Sequence, residues 1–150
     1  MNGKLFAQAI TKVISGLLLV GFLLFLPAGS FLYWNGWLLI AVFLLGYILY
    51  AEVLRENAYL SRTVEIQENQ KVIDTGLYGI VRHPMYMSTF LLFLSMPLIL
   101  GSVISFVIML VYIPIIAKRI SNEEQVLEEG LAGYSDYKKQ VKYKVIPYVW

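Results

Sequence analysis

Four long apolar stretches alternate with short turns and polar segments along this chain. A helix needs roughly 20 apolar residues to cross the hydrocarbon core of a bilayer, and the first two stretches reach that length. The pattern predicts an all-α integral membrane protein with about four transmembrane helices and a charged helical tail. The predicted spans cover about residues 5–26, 31–54, 84–100 and 103–117, and the tail covers 118–150.

The boundaries of these spans follow from the turn residues. Pro27 to Ser30 separates the first two spans, and Gly101-Ser102 separates the last two, which are therefore predicted to form an antiparallel pair. Pro97 and Pro114 are predicted to kink their helices. The first stretch exceeds the apolar region of a signal peptide, so we interpret it as a retained span, with Lys12 reaching back to the near surface.

Composition narrows the class further. The hydrophobic fraction is 59%, which is above the usual range of soluble proteins. The chain has no Cys and one His, so disulfides and thiolate metal sites are excluded, and we expect no metal. The net charge of +2 is too small to indicate a nucleic-acid partner. We expect one membrane-embedded domain over residues 1–150.

The basic residues predict the orientation in the membrane. All twelve Lys and Arg lie in the first twelve residues, in the segment 55–82 or after residue 117, whereas the turns at 27–30 and 101–102 have none. Positively charged segments stay preferentially on the cytoplasmic side. The termini, the segment 55–82 and the tail are therefore predicted to be cytoplasmic. If the organism is a prokaryote, the membrane is expected to be the plasma membrane.

The first candidate for chemistry is the stretch from Asp74 to Tyr86, which contains the only histidine, His83. Two glycines flank Tyr78 and loosen the backbone, and Pro84 favours the start of a helix. The stretch is predicted to form a turn at the membrane surface that can bind a polar cofactor. Taken alone, it is more typical of an ordinary turn with an interfacial capping histidine.

The second candidate follows the fourth span. If residues 119–129 are helical, Arg119 and Glu123 lie four residues apart on one face, with Glu124 beside them. A cation and carboxylates at this position can hold the amino-acid end of a zwitterionic ligand. Taken alone, the segment is more typical of a solvated helix with ordinary ion pairs.

Together the two segments resemble a known family. The pattern Gly-x-Tyr-x-x-Val-Arg-His-Pro-x-Tyr, an apolar hairpin, Arg-x-x-x-Glu-Glu, and then Tyr134, Tyr137 and Ile146-Pro147-x-x-Trp150 resembles the isoprenylcysteine carboxyl methyltransferase family. Membrane phospholipid N-methyltransferases share much of this pattern. The resemblance covers about residues 65–150.

The resemblance implies S-adenosylmethionine as the methyl donor and a lipophilic or prenylated-cysteine acceptor that approaches from the membrane lipid. By position, Arg119 is implied to face the acceptor, and Glu123 is implied to contact the ammonium group of the donor. The further donor contacts implied are Tyr78, His83, Pro84, Met85 and Tyr86, and, on a looser alignment, Gln67, Lys71, Val72 and Ile73.

The chemistry of the acceptor leaves two alternatives. A carboxylate is ionised at neutral pH and needs no general base, only desolvation and alignment, for which the planar fork of Arg119 is suited. An amine must first lose a proton, and Glu124 is the candidate to accept it. Arg119 favours the carboxylate of an isoprenylcysteine-like substrate, with phospholipid amine methylation as the alternative.

A hypothesis of another class is a small transporter built around Glu52, since an intramembrane carboxylate is a functional candidate. Glu52 lies near the end of its span beside Arg55 and Glu56, however, where an interfacial ion pair explains it. A membrane reductase of related topology is a third hypothesis, but no nicotinamide phosphate site is evident.

Overall fold

The computed structural model describes residues 3–60 and 65–150, and within these it consists of helices and connecting segments without a β-strand. This confirms the all-α prediction. A short 3₁₀ turn, Gly76–Gly79, precedes the third helix. The helices are α1 (Gly3–Ala28), α2 (Trp34–Glu56), α3 (Pro84–Ile99), α4 (Val103–Met109), α5 (Tyr112–Gly130) and α6 (Tyr134–Gln140).

Three helical segments are long and apolar enough to cross a membrane: Ile10–Ala28, Trp34–Glu56 and Val103–Gly130. Helix α3 is also apolar but has only 16 residues. At 1.5 Å per residue it is about 24 Å long, somewhat less than the hydrocarbon thickness. The protein is therefore an integral membrane protein, with the short third segment that the hydropathy pattern predicts.

The fourth predicted span and the start of the tail form one nearly continuous helical course. The helical course from Val103 to Gly130 is interrupted at Leu110 and Val111 and then runs on far beyond the predicted end of the span at residue 117. Pro114 explains the break, because a proline ring clashes with the carbonyl four residues earlier, here that of Leu110. Arg119 and Glu123 therefore lie on a direct helical extension of the span.

Helix packing follows the chain order, with α1 against α2, α2 against α3, and α3 against α4. The contact between α2 and α3 is close at Gly46, where a Cβ atom would lie 2.6 Å from Leu92 Cδ2. Many apolar side chains point outward, and Ile104, for example, is 78% exposed. Such a surface suits acyl chains as its neighbours.

Two apolar clusters hold the segments that follow the spans. The first joins α3 and α5 to the tail and contains Tyr86, Phe90, Ile116, Ile120 and Val145. The second is built around α6 from Leu131, Tyr134, Tyr137 and Val141, and Ile66 and Val72 of the loop after α2 pack against it. The tail and this loop are thereby held against the same end of the helices.

Candidate functional site

The glycine-flanked tyrosine forms a tight turn. Gly76 has a φ of +56°, in the left-handed region that favours glycine, and a Cβ atom there would lie 3.0 Å from Glu56 Cγ. The turn places Tyr78 in a buried position. Pro84 then begins α3 with His83 as the preceding N-cap residue, as expected for a proline at the first helical position.

Backbone hydrogen bonds join the residues before α3 to the tail. The Arg82 N–H donates to the Tyr143 carbonyl over 2.9 Å, and the His83 N–H donates to the Lys144 carbonyl over 2.8 Å. The Arg82 guanidinium adds bonds from Nη1 to the carbonyls of Val141 and Lys142, at 2.6 and 2.9 Å. The tail is thus fastened directly beside the start of α3.

A buried ion network lies at this junction. Glu124 is only 4% exposed, and its Oε1 accepts a hydrogen bond from Arg82 Nε at 2.7 Å and contacts His83 Nε2 at 3.2 Å. Its Oε2 lies 3.1 Å from Lys144 Nζ and 3.7 Å from Lys138 Nζ. A buried charge is tolerated only when it is paired in this way, so the network is a structural connection between α5, the turn before α3 and the tail.

A second polar group lies on the neighbouring face of α5. The Tyr86 hydroxyl donates to Glu123 Oε2 at 2.9 Å and accepts from Arg119 Nε at 2.8 Å. His83 Nδ1 lies 3.8 Å from Glu123 Oε1. Residues of the two sequence motifs, separated by the helical hairpin, therefore touch one another.

These groups line a pocket at this end of the helices. The loop after α2 forms one wall, and α5 with the residues around α6 forms the other. The sequence-predicted residues that the structure brings to the pocket are Lys71, Val72, Ile73, Tyr78, His83, Met85, Tyr86, Arg119 and Glu123.

Three of the predicted site residues do not line this pocket. Gln67 supports the loop instead, since its Nε2 donates to the Tyr59 carbonyl at 2.9 Å. Pro84 is fully buried at the start of α3. Glu124 faces the ion network, where Arg82 and Lys144 stabilise its ionised form, and its role as a proton acceptor stays a prediction.

Other pocket residues were not assigned a role by the sequence. Asn57, Tyr59 and Leu60 reach the pocket from the end of α2, and only their place after a predicted span could have indicated them. Tyr134 and Tyr137 belong to the motif in the tail, and both line the pocket. The tail therefore contributes its tyrosines to the same wall as α5.

Burial changes the acid–base properties of three pocket tyrosines: it raises the pKa of Tyr78, Tyr134 and Tyr137 above the usual value. Tyr137 donates from its hydroxyl to the Tyr78 carbonyl at 2.7 Å. The Tyr134 hydroxyl is buried and has no hydrogen-bond partner within the part of the chain that the structure describes. Leaving a buried hydroxyl without a partner costs free energy.

Two further expectations from the sequence concern metal binding and Glu52. Within residues 3–60 and 65–150, no group of three or more His, Cys, Asp or Glu residues is placed to hold a metal ion. Glu52, the residue of the transporter hypothesis, forms a bidentate pair with Arg55 at the exposed end of α2, with bonds of 2.7 and 2.9 Å. This is the interfacial pair that its position in the sequence suggests.

Fold and site together define an integral membrane protein with a polar pocket at one end of its helices, built from two sequence motifs. The sequence model of the isoprenylcysteine carboxyl methyltransferase (ICMT) family matches residues 37–129, which is more than half of the chain and includes both α3 and the Arg119–Glu124 segment. The chain belongs to this family, which is a family of membrane methyltransferases.

A more distant similarity connects the chain to the Delta(14)-sterol reductase TM7SF2 of Mus musculus. The two are 28% identical over 91 residues, which is 59% of this chain and 22% of that protein. The chain thus spans only about a fifth of the length of this curated relative.

Proposed function

We propose that the protein transfers a methyl group from S-adenosylmethionine to the carboxylate of an isoprenylcysteine-like, lipophilic acceptor. The observation that supports this most directly is the convergence of His83, Tyr86, Arg119 and Glu123 in one pocket, from segments on either side of the helical hairpin. Membership of the methyltransferase family supports the same reaction.

The pocket fits the methyl donor in its chemistry. Glu123 provides a carboxylate that is partly exposed, so it can pair with the ammonium of the methionine part. Val72, Leu127 and Leu131 offer apolar walls for an adenine ring. The buried Tyr134 hydroxyl is a polar group in the same lining that a bound ligand can satisfy.

Little covalent chemistry is left to the protein. S-adenosylmethionine supplies a methyl group on a sulfonium, which is already an activated electrophile. The task of the chain is then to exclude water and to hold the acceptor carboxylate in line. Arg119 suits this role, because Tyr86 holds its Nε and thereby orients the plane of the guanidinium at the pocket wall.

Arg119 is the group that supports a carboxylate acceptor, while Glu124 does not reach the pocket as the proton acceptor predicted for an amine and Glu123 and His83 do line it. Methylation of an amine requires a proton acceptor beside the substrate, whereas an acceptor carboxylate is ionised at neutral pH. Glu124 was the candidate for this proton acceptor, and it lies outside the pocket lining, paired with Arg82 and Lys144. We propose that the site faces the cytoplasm, in agreement with the distribution of basic residues.

A binding experiment tests the donor site. Calorimetry on the purified protein in detergent is expected to detect S-adenosylhomocysteine, the product form of the donor. Glu123→Ala should weaken this binding about tenfold or more, because a hydrogen bond to a charged group is lost. Glu128→Ala is the matched control, since Glu128 lies on the same helix, pairs with Lys138 and does not line the pocket.

Absence of binding to well-folded wild-type protein would contradict the proposal, as would equal effects of the two substitutions. The acceptor is tested separately, by transfer of a radiolabelled methyl group in detergent or liposomes. Label in the prenylcysteine analogue supports the carboxylate reaction, whereas label only in amine phospholipids would replace it with the alternative.

A further inference from the structure

Asn57 is a pocket residue that belongs to neither sequence motif. It follows the last residue of α2, and its backbone N–H donates to the Val53 carbonyl at 3.0 Å, which closes the last turn of that helix. Its side-chain Oδ1 accepts from the Tyr59 N–H at 2.9 Å, and its Nδ2 donates to the Tyr78 hydroxyl at 2.8 Å. The whole side-chain amide is therefore held in place.

These bonds determine which end of the amide faces Tyr78. A backbone N–H can only donate, so the end of the Asn57 amide that meets the Tyr59 N–H must be the oxygen. The NH₂ group is then directed at Tyr78. An amide NH₂ can only donate in turn, so the Tyr78 hydroxyl must accept this bond.

The consequence concerns the proton of Tyr78. A phenol has one O–H to donate, and Asn57 cannot take it. Burial raises the pKa of Tyr78, which keeps the hydroxyl protonated at neutral pH. The residue is also fixed at its backbone, where the carbonyl accepts from the Tyr137 hydroxyl. The result is a fixed phenol in the pocket wall whose proton points away from Asn57.

We propose that Asn57 is a positioning residue that turns the O–H of Tyr78 into the pocket, where it donates to an oxygen or nitrogen acceptor on the bound methyl donor. This inference rests on the proposed function for the identity of the ligand. It gives a role in the site to the residue directly after α2, in addition to the loop that follows. Asn57 acts through Tyr78 and does not itself need to touch the ligand.

The substitution Asn57→Asp tests the direction of the hydrogen bond without removing the contact. A carboxylate at this position still accepts from the Tyr59 N–H, but it is ionised at neutral pH and accepts the Tyr78 proton instead of donating to its oxygen. The proton is then withdrawn from the pocket. S-adenosylhomocysteine should bind about three- to tenfold more weakly, as for the loss of one neutral hydrogen bond.

A double-substitution cycle identifies the route of the effect. Tyr78→Phe should weaken binding by a similar factor, and adding Asn57→Asp to it should cause little further loss, because both changes remove the same bond. The thermal midpoint of Asn57→Asp should stay near that of the wild type. Asn122→Asp is the matched control, as Asn122 is exposed on α5 and does not line the pocket.

A spectroscopic readout reports the hydrogen bond itself. The phenol C–O stretching band of Tyr78, assigned by its absence from Tyr78→Phe, should shift in Asn57→Asp as the hydroxyl becomes a donor to a carboxylate. Wild-type affinity in Asn57→Asp, or additive losses in the double variant, would overturn the inference while leaving the proposed function intact. A folded wild-type protein that binds no S-adenosylhomocysteine would overturn both.

Discussion

At the scale of single residues, the site is defined by the hydrogen-bond partners of its tyrosines. Tyr86 connects Arg119 to Glu123, Tyr78 accepts from Asn57, and Tyr137 donates to the Tyr78 carbonyl. Tyr134, three residues before Tyr137 on α6, is buried to the same extent, and its hydroxyl has no partner among the residues that the structure describes. The two neighbouring tyrosines therefore differ in what their hydroxyls contribute.

This difference predicts that replacing Tyr by Phe has different effects on the free energy of unfolding at the two positions. Tyr137→Phe should lower the free energy of unfolding by about 1 kcal/mol, because it leaves the Tyr78 carbonyl without its donor. Tyr134→Phe should leave it unchanged or raise it slightly, since the hydroxyl it removes is buried and finds no partner in the described ranges 3–60 and 65–150. Thermal unfolding of both variants in the same detergent measures this. Equal losses would show that the Tyr134 hydroxyl has a stabilising partner.

At the scale of elements, the position of the site depends on the packing of α2 against α3. Asn57 lies at the end of α2 and His83 and Tyr86 lie at the start of α3, and all three line the pocket. Gly46 allows the two helices to approach, because any side chain there would overlap Leu92. The small residue in the membrane thus sets the geometry of the polar groups beyond the helix ends.

Replacing this glycine should separate the helices. We expect Gly46→Leu to lower the free energy of unfolding by about 1–3 kcal/mol through overpacking, and to weaken ligand binding as well. Gly16→Leu on α1 is the control, since among the described residues a Cβ at Gly16 would meet no atom within 4 Å beyond its chain neighbours and its own helix backbone, and the side chain can extend into lipid. Both are compared by thermal unfolding, and a smaller loss at Gly46 than at Gly16 would contradict the predicted packing.

At the scale of the whole molecule, one buried network ties together segments that are distant in the sequence. Glu124 of α5 meets Arg82 before α3 and Lys144 of the tail, and the Arg82 and His83 N–H groups bond to the tail backbone. Removing one member of such a network leaves a buried charge with too few partners.

Accordingly, Arg82→Met should cost about 3–5 kcal/mol of stability. The double change Arg82→Met with Glu124→Leu should cost less than the single one, since it removes both charges together. Lys139→Met, which breaks the exposed pair with Asp136, should leave stability close to that of the wild type. The measurement is thermal unfolding in detergent, and a double variant less stable than Arg82→Met would count against this account.

The orientation in the membrane is a prediction at the same scale. The chain has no cysteine, so single cysteines introduced at exposed positions can be labelled selectively. In intact cells an impermeant thiol reagent should label Ser30→Cys, in the turn between α1 and α2, and should reach Ser135→Cys only after permeabilisation. The reverse pattern would place the pocket on the outer side.

The sequence alone determined the membrane class and two of the segments that line the pocket. Spans are readable because lipid requires long apolar helices whatever the tertiary contacts, and the segments at 74–86 and 119–124 contain the residues that resemble a methyltransferase family. The break near Leu110 was likewise readable from Pro114, because a proline affects its own helix.

Only the tertiary structure decided the direction in which neighbouring side chains face. Glu123 and Glu124 are identical in type and adjacent in sequence, yet one lines the pocket and the other is buried among Arg82, His83 and Lys144. Asn57 had no local signal, because its role depends on Tyr78, 21 positions away. Composition and periodicity report on preferences within a few residues of the chain. The partners of these side chains depend on how the elements pack against one another, so the partners could not be derived from the sequence.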